Sequence, residues 1–189
     1  MTKKELRKIY KEKRLAISSR DKLKMDDLLL INFQQLSFEH TNVLLSYWPM
    51  AHQAEPNSIL YSSYLRHMMP GLRTAYTVTD FATLTMQAVE INENTVYNTN
   101  AYGITEPREG TLLDPEEIDI VFVPFLVCDA NGYRVGYGKG FYDRFLARCR
   151  EDVLKIGFTY FEPVAAIDDV QDFDIPLNFC ITTENIYEF

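Results

Sequence analysis

Between Gly132 and Leu146 the chain reads Gly-Tyr-Arg-Val-Gly-Tyr-Gly-Lys-Gly-Phe-Tyr-Asp-Arg-Phe-Leu. Gly136, Gly138 and Gly140 alternate just before a predicted helix. Glycine lets the backbone approach a ligand closely and take positive φ. The free N–H groups at the start of a helix favour an anion. Arg134 and Lys139 add fixed positive charge, and Asp143 offers a carboxylate oxygen to Mg²⁺. Together these residues describe a phosphate-and-metal cradle. The same residues also describe a flexible strand-to-helix turn with an exposed lysine. The familiar phosphate motifs do not match. A P-loop needs Ser or Thr where Gly140 stands and glycine where Tyr133 stands, and a dinucleotide fingerprint starting at Gly136 needs glycine at Phe141.

Such a cradle needs elements to hold it. Thr2 is placed to cap a helix with Leu6, Ile9 and Tyr10 on one face. Ser18 and Ser19 interrupt it, and a second helix carries Leu23, Leu28, Leu30, Ile31 and Leu36. Val43–Tyr47 is a buried-strand pattern stopped by Pro49, and Asn57 caps a helix running to about Met68. After a turn at Pro70–Gly71 come strands over 72–78 and 83–89, the second with Leu84, Met86 and Ala88 on one face. Residues 92–117 have weak periodicity and read as a long loop. Ile118–Val123 is an unbroken apolar strand of the kind covered on both faces. A turn at 129–132, a helix from Phe141 to about Arg150, and strands over 153–159 and 179–182 complete the pattern. Strands alternating with helices predict a three-layer α/β domain: a mostly parallel, Rossmann-like open sheet flanked by helices. Ligands bind such sheets at the carboxyl ends of the strands, here the loops after Tyr47, Val123 and Thr159.

Composition narrows the function. A folded chain of 22.0 kDa exposes roughly 9,300 Å², so its 189 residues are expected to form one domain with a core that needs no staples. The longest apolar run, Ile120–Cys128, is broken by Pro124 and falls far short of a membrane span. The charged N-terminus has no apolar stretch of the kind a signal peptide needs. Three cysteines without Cys-x-x-Cys spacing fit a reducing cytoplasm. The net charge of −8 is uneven: residues 1–25 hold ten Lys/Arg against three Asp/Glu. A basic arm on an acidic body fits either a solvated helix face or an anionic partner. The acidic remainder disfavours wholesale nucleic-acid binding.

The glycine-rich segment also carries a resemblance. Asp119-x-Val-x-Val-Pro124, then Asp129, then Gly132-x-Arg-x-Gly-x-Gly-Lys-Gly-x-Tyr-Asp-Arg-x-Leu146 resembles, without a gap, the signature of the 5-formyltetrahydrofolate cyclo-ligase (5,10-methenyltetrahydrofolate synthetase) family. Weaker matches follow the family's order along nearly the whole chain: Lys3-Lys4-x-Leu-Arg7, Trp48-Pro49 with Glu55, Tyr102-Gly-Ile-x-Glu-Pro107, and Phe173-Asp174-x-Pro-Leu-Asn178. The resemblance implies an ATP- and Mg²⁺-dependent cyclisation of 5-formyltetrahydrofolate, with or without a polyglutamate tail, to 5,10-methenyltetrahydrofolate; a chain of this size is expected to act as a monomer, in the cytoplasm that its cysteines fit. A formamide oxygen is a poor leaving group and N10 a weak nucleophile. Phosphorylating the formyl oxygen makes it leave as phosphate when N10 attacks. Such a transfer needs positioning and charge stabilisation more than a covalent nucleophile.

The resemblance also implies roles. Lys139 and Arg134 neutralise the ATP phosphates. Gly136, Gly138 and Gly140 bring backbone N–H groups to them, with Phe141 and Tyr142 alongside. Lys3, Lys4 and Arg7 close over the nucleotide. Asp143 anchors Mg²⁺, and Glu55 accepts hydrogen bonds from the pterin ring. Met50, Tyr137 and Tyr142 form walls, joined by Tyr47 and Trp48, although ordinary core packing explains the aromatics other than Tyr142 equally well. Asn178 stands where the family has a carboxylate near the metal, which implies weaker Mg²⁺ binding unless Asp174 or Asp172 compensates. Phe173 and Cys128 read as packing changes. His52 reads as an exposed loop histidine, and Asp168, Asp169, Asp172 and Asp174 as mostly solvated surface. The competing readings are a non-catalytic nucleotide- or folate-binding module, and an ATP-dependent enzyme acting on another small heterocycle.

Overall fold

The computed structural model describes residues 1–189. Helix α1 (Lys3–Leu15) begins with a capping box, in which the Thr2 hydroxyl accepts from the Glu5 N–H and the Glu5 carboxylate accepts from the Thr2 N–H. Its inward stripe is Leu6, the half-buried Tyr10, and Arg14, at a helical spacing of four. Helix α2 (Ser19–Phe33) is capped by Ser18. Of the apolar residues expected to mark it, Leu23, Leu28 and Ile31 are exposed and Leu36 lies beyond its end. The buried face is Asp26, Leu29 and Phe33 instead. A carboxylate on that stripe hides the period. Asp26 is tolerated inside because Tyr160 (2.7 Å), Tyr61 (3.2 Å), the Asn57 N–H (3.1 Å) and Lys22 (2.7 Å) all donate to it.

Twelve strands and two further helices follow. β1 (Val43–Ser46) leads through α3 (Ser58–Met68) to β2 (Arg73–Asp80) and β3 (Thr85–Glu90). Then come β4 (Tyr97–Thr99), β5 (Thr105–Pro107), β6 (Leu112–Leu113), β7 (Ile120–Phe122), β8 (Val127–Cys128) and β9 (Arg134–Val135). Helix α4 (Phe141–Leu146), β10 (Leu154–Phe158), β11 (Phe179–Ile181) and β12 (Ile186–Glu188) end the chain. Eight strands form one sheet in the order β12-β11-β10-β7-β1-β2-β3-β6. The five strands from β11 to β2 are parallel, and β3, β6 and β12 add antiparallel edges. The expected α/β sheet is therefore present, with β7 at its centre. Alternate β7 residues face opposite cores. Val121 packs in the cluster with Phe145 and Leu146 of α4, while Ile120 and Phe122 pack with Leu29 and Phe33 of α2 and Tyr61 of α3. Helix α1 lies over the β8–β9 hairpin, where Leu6 meets Val127 and Val135. The folded chain exposes 9845 Å², close to the expectation for a compact chain of this mass.

Three sequence expectations change. Residues 92–117 are not a bare loop: they hold the β4–β5 hairpin, β6 and a 3-10 turn at Pro115–Glu117. Helix α4 stops at Leu146, because Arg148 and Cys149 bond three residues back and tighten the last turn. Leu84 is not on the buried face of β3; it has φ 55° in the β2–β3 turn and is exposed. No helix is long and apolar enough to cross a membrane.

Candidate active site

A cavity of about 570 Å³ opens at the carboxyl ends of β1, β2 and β7. Tyr47 and Trp48 enter it directly after β1, Thr77 and Thr79 from the end of β2, and Pro124 after β7. The segment from Arg134 to Arg144 forms another wall, and Lys3 and Arg7 reach in from α1. The loop after Thr159, expected at the site, contributes no lining residue.

The glycine segment is open and backbone-built. Gly138 has φ 86° and Gly140 φ 69°, both in the left-handed region. A Cβ on Gly138 would meet the Arg7 guanidinium at 3.2 Å, so Arg7 lies against this loop, and its Nε donates to the Gly136 carbonyl at 2.8 Å. Gly136 has no positive φ and open space where a Cβ would stand. Lys139 is exposed. Its carbonyl accepts from Arg144 Nη2 at 2.5 Å, and Arg144 Nε donates to the Leu84 carbonyl at 3.0 Å. Arg144, not singled out in the sequence, thus clamps this loop to the β2–β3 turn.

Deeper in, the expected phosphate and metal ligands hold each other. The Arg134 side chain is 6% exposed; its Nη2 donates to Asp143 Oδ1 at 2.9 Å, and its Nη1 to the Ile175 carbonyl. Burial pushes the Arg134 guanidinium down while Asp143 holds it up. Asp143 Oδ1 also accepts the Ile175 N–H at 3.1 Å, which leaves Oδ2 to the cavity. Asp174 lines the cavity and takes the Lys3 ammonium, and Asp169 Oδ1 takes the Lys3 N–H at 2.6 Å. Those two aspartates are fasteners for α1 rather than solvated surface. Asn178 does not line the cavity: its Oδ1 accepts the Lys155 N–H at 2.9 Å between β10 and β11. The metal role expected for it is corrected on that geometry. Lys4 is exposed and also lies outside the lining. Nowhere do three His, Cys, Asp or Glu side chains converge as a metal cluster. A Mg²⁺ ion carried by phosphates needs only one or two protein carboxylates, however, and Asp143 and Asp174 fit that requirement.

The other end is closed and side-chain-built. Glu55 is 2% exposed. Its Oε2 accepts the Met50 N–H at 2.7 Å, and its Oε1 accepts the Tyr137 hydroxyl. Tyr137 belongs to the glycine segment, so one side chain joins the two ends of the cavity. Burial pushes the Glu55 carboxyl up; the Met50 N–H, Tyr137, Arg14 and His52 favour its anion. Burial also pushes the phenols of Tyr47, Tyr137 and Tyr142 up, so they stay neutral donors. His52 is exposed, as expected, and also lines the cavity, against Gly103.

The rim is aromatic. Trp48 lies 5.0 Å from Tyr97 of the β4–β5 hairpin, and Tyr102 stacks on Phe81 at 3.6 Å. Glu106 ties the hairpin down by accepting from the Thr79 N–H (2.7 Å) and hydroxyl (2.5 Å). Phe173 is 71% exposed at the rim and is not a packing residue, whereas Cys128 is fully buried in the core. Sequence reasoning missed Arg14, Thr77, Thr79, Phe81, Gln53 and Arg144. Arg14 alone carried a usable signal, its place on the Leu6–Tyr10 stripe.

A model of the 5-formyltetrahydrofolate cyclo-ligase family matches residues 1–178. The 5-formyltetrahydrofolate cyclo-ligase of Mycoplasma genitalium is 36% identical over 69 residues, covering 36% of this chain and 42% of that protein. Its namesake from Haemophilus influenzae is 33% identical over 81 residues, 41% of this chain and 43% of that one. These matches span less than half the length of either relative. Among solved structures, the Aquifex aeolicus 5,10-methenyltetrahydrofolate synthetase is similar with a TM-score of 0.79 and 26% identity, covering 100% of this chain and 93% of that one. The Mycoplasma pneumoniae 5,10-methenyltetrahydrofolate synthetase shares the fold at a TM-score of 0.73 and 21% identity, covering 96% and 98%.

Proposed function

The chain belongs to the 5-formyltetrahydrofolate cyclo-ligase family, and on that premise we propose that it closes 5-formyltetrahydrofolate to 5,10-methenyltetrahydrofolate at the expense of ATP. One observation carries the reading: a buried carboxylate suited to a pterin's N–H edge and a glycine loop suited to phosphates share one cavity, bridged by Tyr137.

The formyl oxygen attacks the γ-phosphorus of ATP, forming a P–O bond as the bond to the β-phosphate oxygen breaks and ADP departs. N10 then bonds to the activated carbon and loses its proton, and the C–O bond breaks to release phosphate. Each step moves charge, so the chain's part is to place the reactants and neutralise what develops. Glu55 fixes the pterin by accepting its N–H groups. Lys139, whose ammonium has no partner within the chain, follows the phosphate charge. Backbone N–H groups of the 138–140 turn face the phosphate oxygens, and Arg7 covers the turn from α1. Arg134 is reserved by Asp143 and acts on the nucleotide only as that pair rearranges. Phe141 and Tyr142 line the nucleotide side, and Met50, Tyr137 and Tyr142 the folate side. Asp143 with Asp174 would hold Mg²⁺, which would supply further neutralisation of the phosphates.

Action as a monomer is part of the proposal, and light scattering at the assay concentration checks it. The one large sheet, running from Val43 to Glu188, supports reading the chain as a single domain. Its three unpaired cysteines and its family support a cytoplasmic location. The non-catalytic alternative drew its support from Asn178, and that residue lies outside the cavity.

The test follows the near-ultraviolet band of the methenyl product with 5-formyltetrahydrofolate, Mg²⁺ and ATP. An ATP-dependent rise is expected, and Lys139→Ala should abolish it. A flat trace from folded wild-type protein at high Mg²⁺ would overturn the assignment.

A further inference from the structure

Arg14 is the one basic residue of the N-terminal stretch that is buried, at 2% exposure. Its guanidinium donates to three separate segments of the cavity wall. Nε reaches the Gln53 carbonyl at 2.8 Å, Nη1 the Phe125 carbonyl at 3.1 Å and Nη2 the Tyr137 hydroxyl oxygen at 2.5 Å. A phenol has a single proton. Because its oxygen accepts from Arg14, that proton is directed to Glu55 Oε1. The arrangement is a buried ion pair with a phenol between its charges. A buried charge is costly unless paired and hydrogen-bonded, and here each end satisfies the other through Tyr137.

We propose that Arg14 is a positioning residue for the folate end of the cavity, holding Tyr137 so that its proton goes to Glu55 and both Glu55 oxygens stay acceptors for the pteridine. The proposal rests on the folate reading of that end. The groups facing Glu55 are Arg14 from α1, Tyr137 from the glycine segment, His52 from the 3-10 turn, Tyr47 after β1, Tyr142 of α4 and Tyr160 after β10. Burial keeps the four phenols neutral, so Arg14 and Tyr137 are the main side-chain support of the Glu55 anion against its own burial.

The sign follows. Removing the bridge raises the Glu55 pKa, so folate binding is lost at higher pH as pH falls and is regained on raising pH. A purely structural loss lowers activity at every pH alike. The variants are Arg14→Gln and Tyr137→Phe, the second keeping the ring should the first fail to fold. The carbon-13 shift of the Glu55 side-chain carboxyl is titrated in ligand-free protein, assigned by its loss in Glu55→Gln. In parallel, KM for 5-formyltetrahydrofolate is measured against pH at saturating ATP. In both variants the Glu55 titration should move up. KM for the folate should rise about tenfold or more at neutral pH, the effect of one hydrogen bond to a charged group, and recover in alkali, with KM for ATP little changed. An unmoved Glu55 titration, or a folate KM raised equally at every pH, would overturn the proposal. If the titration moves while wild-type protein forms no methenyl product, the relay stands and the folate assignment falls.

Discussion

Glu55 and Lys139 line the same cavity under opposite conditions. Glu55 is almost wholly buried, and both its oxygens already accept hydrogen bonds from the chain. Lys139 is exposed on a turn of left-handed glycines, and only its carbonyl is held, by Arg144. In the proposed reading, the Glu55 end, the folate end, is built before any ligand arrives, from side chains that satisfy one another. The glycine end, the phosphate end of that reading, presents backbone, charge and room, and would be organised by the nucleotide. The difference suits the ligands. A flat heterocycle is recognised by fixed, directional acceptors. A triphosphate is recognised by charge and by N–H groups that adapt to its oxygens.

Removing Glu55 should break this contrast most sharply. Glu55→Ala leaves the Tyr137 hydroxyl and the Met50 N–H without their acceptor and the buried Arg14 guanidinium without its counter-charge. It should lower the unfolding free energy by about 3 kcal/mol and abolish folate binding. Denaturant melts alongside calorimetry check both. Lys139→Ala should abolish turnover while leaving the denaturant midpoint where it was. Equal destabilisation by the two variants would erase the contrast. The smallest effect is expected from Asn178→Asp. An aspartate keeps the oxygen that accepts from Lys155 N–H and stands outside the cavity. The Mg²⁺ dependence of the rate should not change, and a tighter dependence would restore Asn178 to the metal site.

The two ends also differ in how legible they were. The phosphate end is contiguous, so its glycines, Lys139 and Asp143 stand out in a single stretch of sequence. The folate end is assembled from afar: Arg14 meets Tyr137 across 123 positions and Gln53 across 39. Counted only as charge, Arg14 belongs to a basic arm. Counted by helical period, it continues the buried stripe of Leu6 and Tyr10. Asp26 misled in the same way, since a carboxylate on the buried face of α2 breaks the apolar pattern that marks such a face. The parallel strands were plain because runs such as Ile120–Phe122 are apolar on both sides. The β4–β5 hairpin was not, because its residues are mostly polar, and it is held by the hydrogen bonds of Glu106 and by the contacts of Tyr97 with Trp48 and Tyr76 rather than by an alternating apolar face. Arg134 and Asp143 were found as residues but not as a pair, because spacing of nine along the chain gives no sign of the turn that joins them.

The central claim is that the two ends act on one reaction. The most direct measurement follows ADP release and methenyl absorbance in the same sample of wild-type protein given 5-formyltetrahydrofolate, ATP and Mg²⁺. Equal amounts of ADP and methenyl product, with neither formed when the folate or ATP is omitted, is the predicted result. ADP released without methenyl product, or methenyl product formed without ATP, would contradict it.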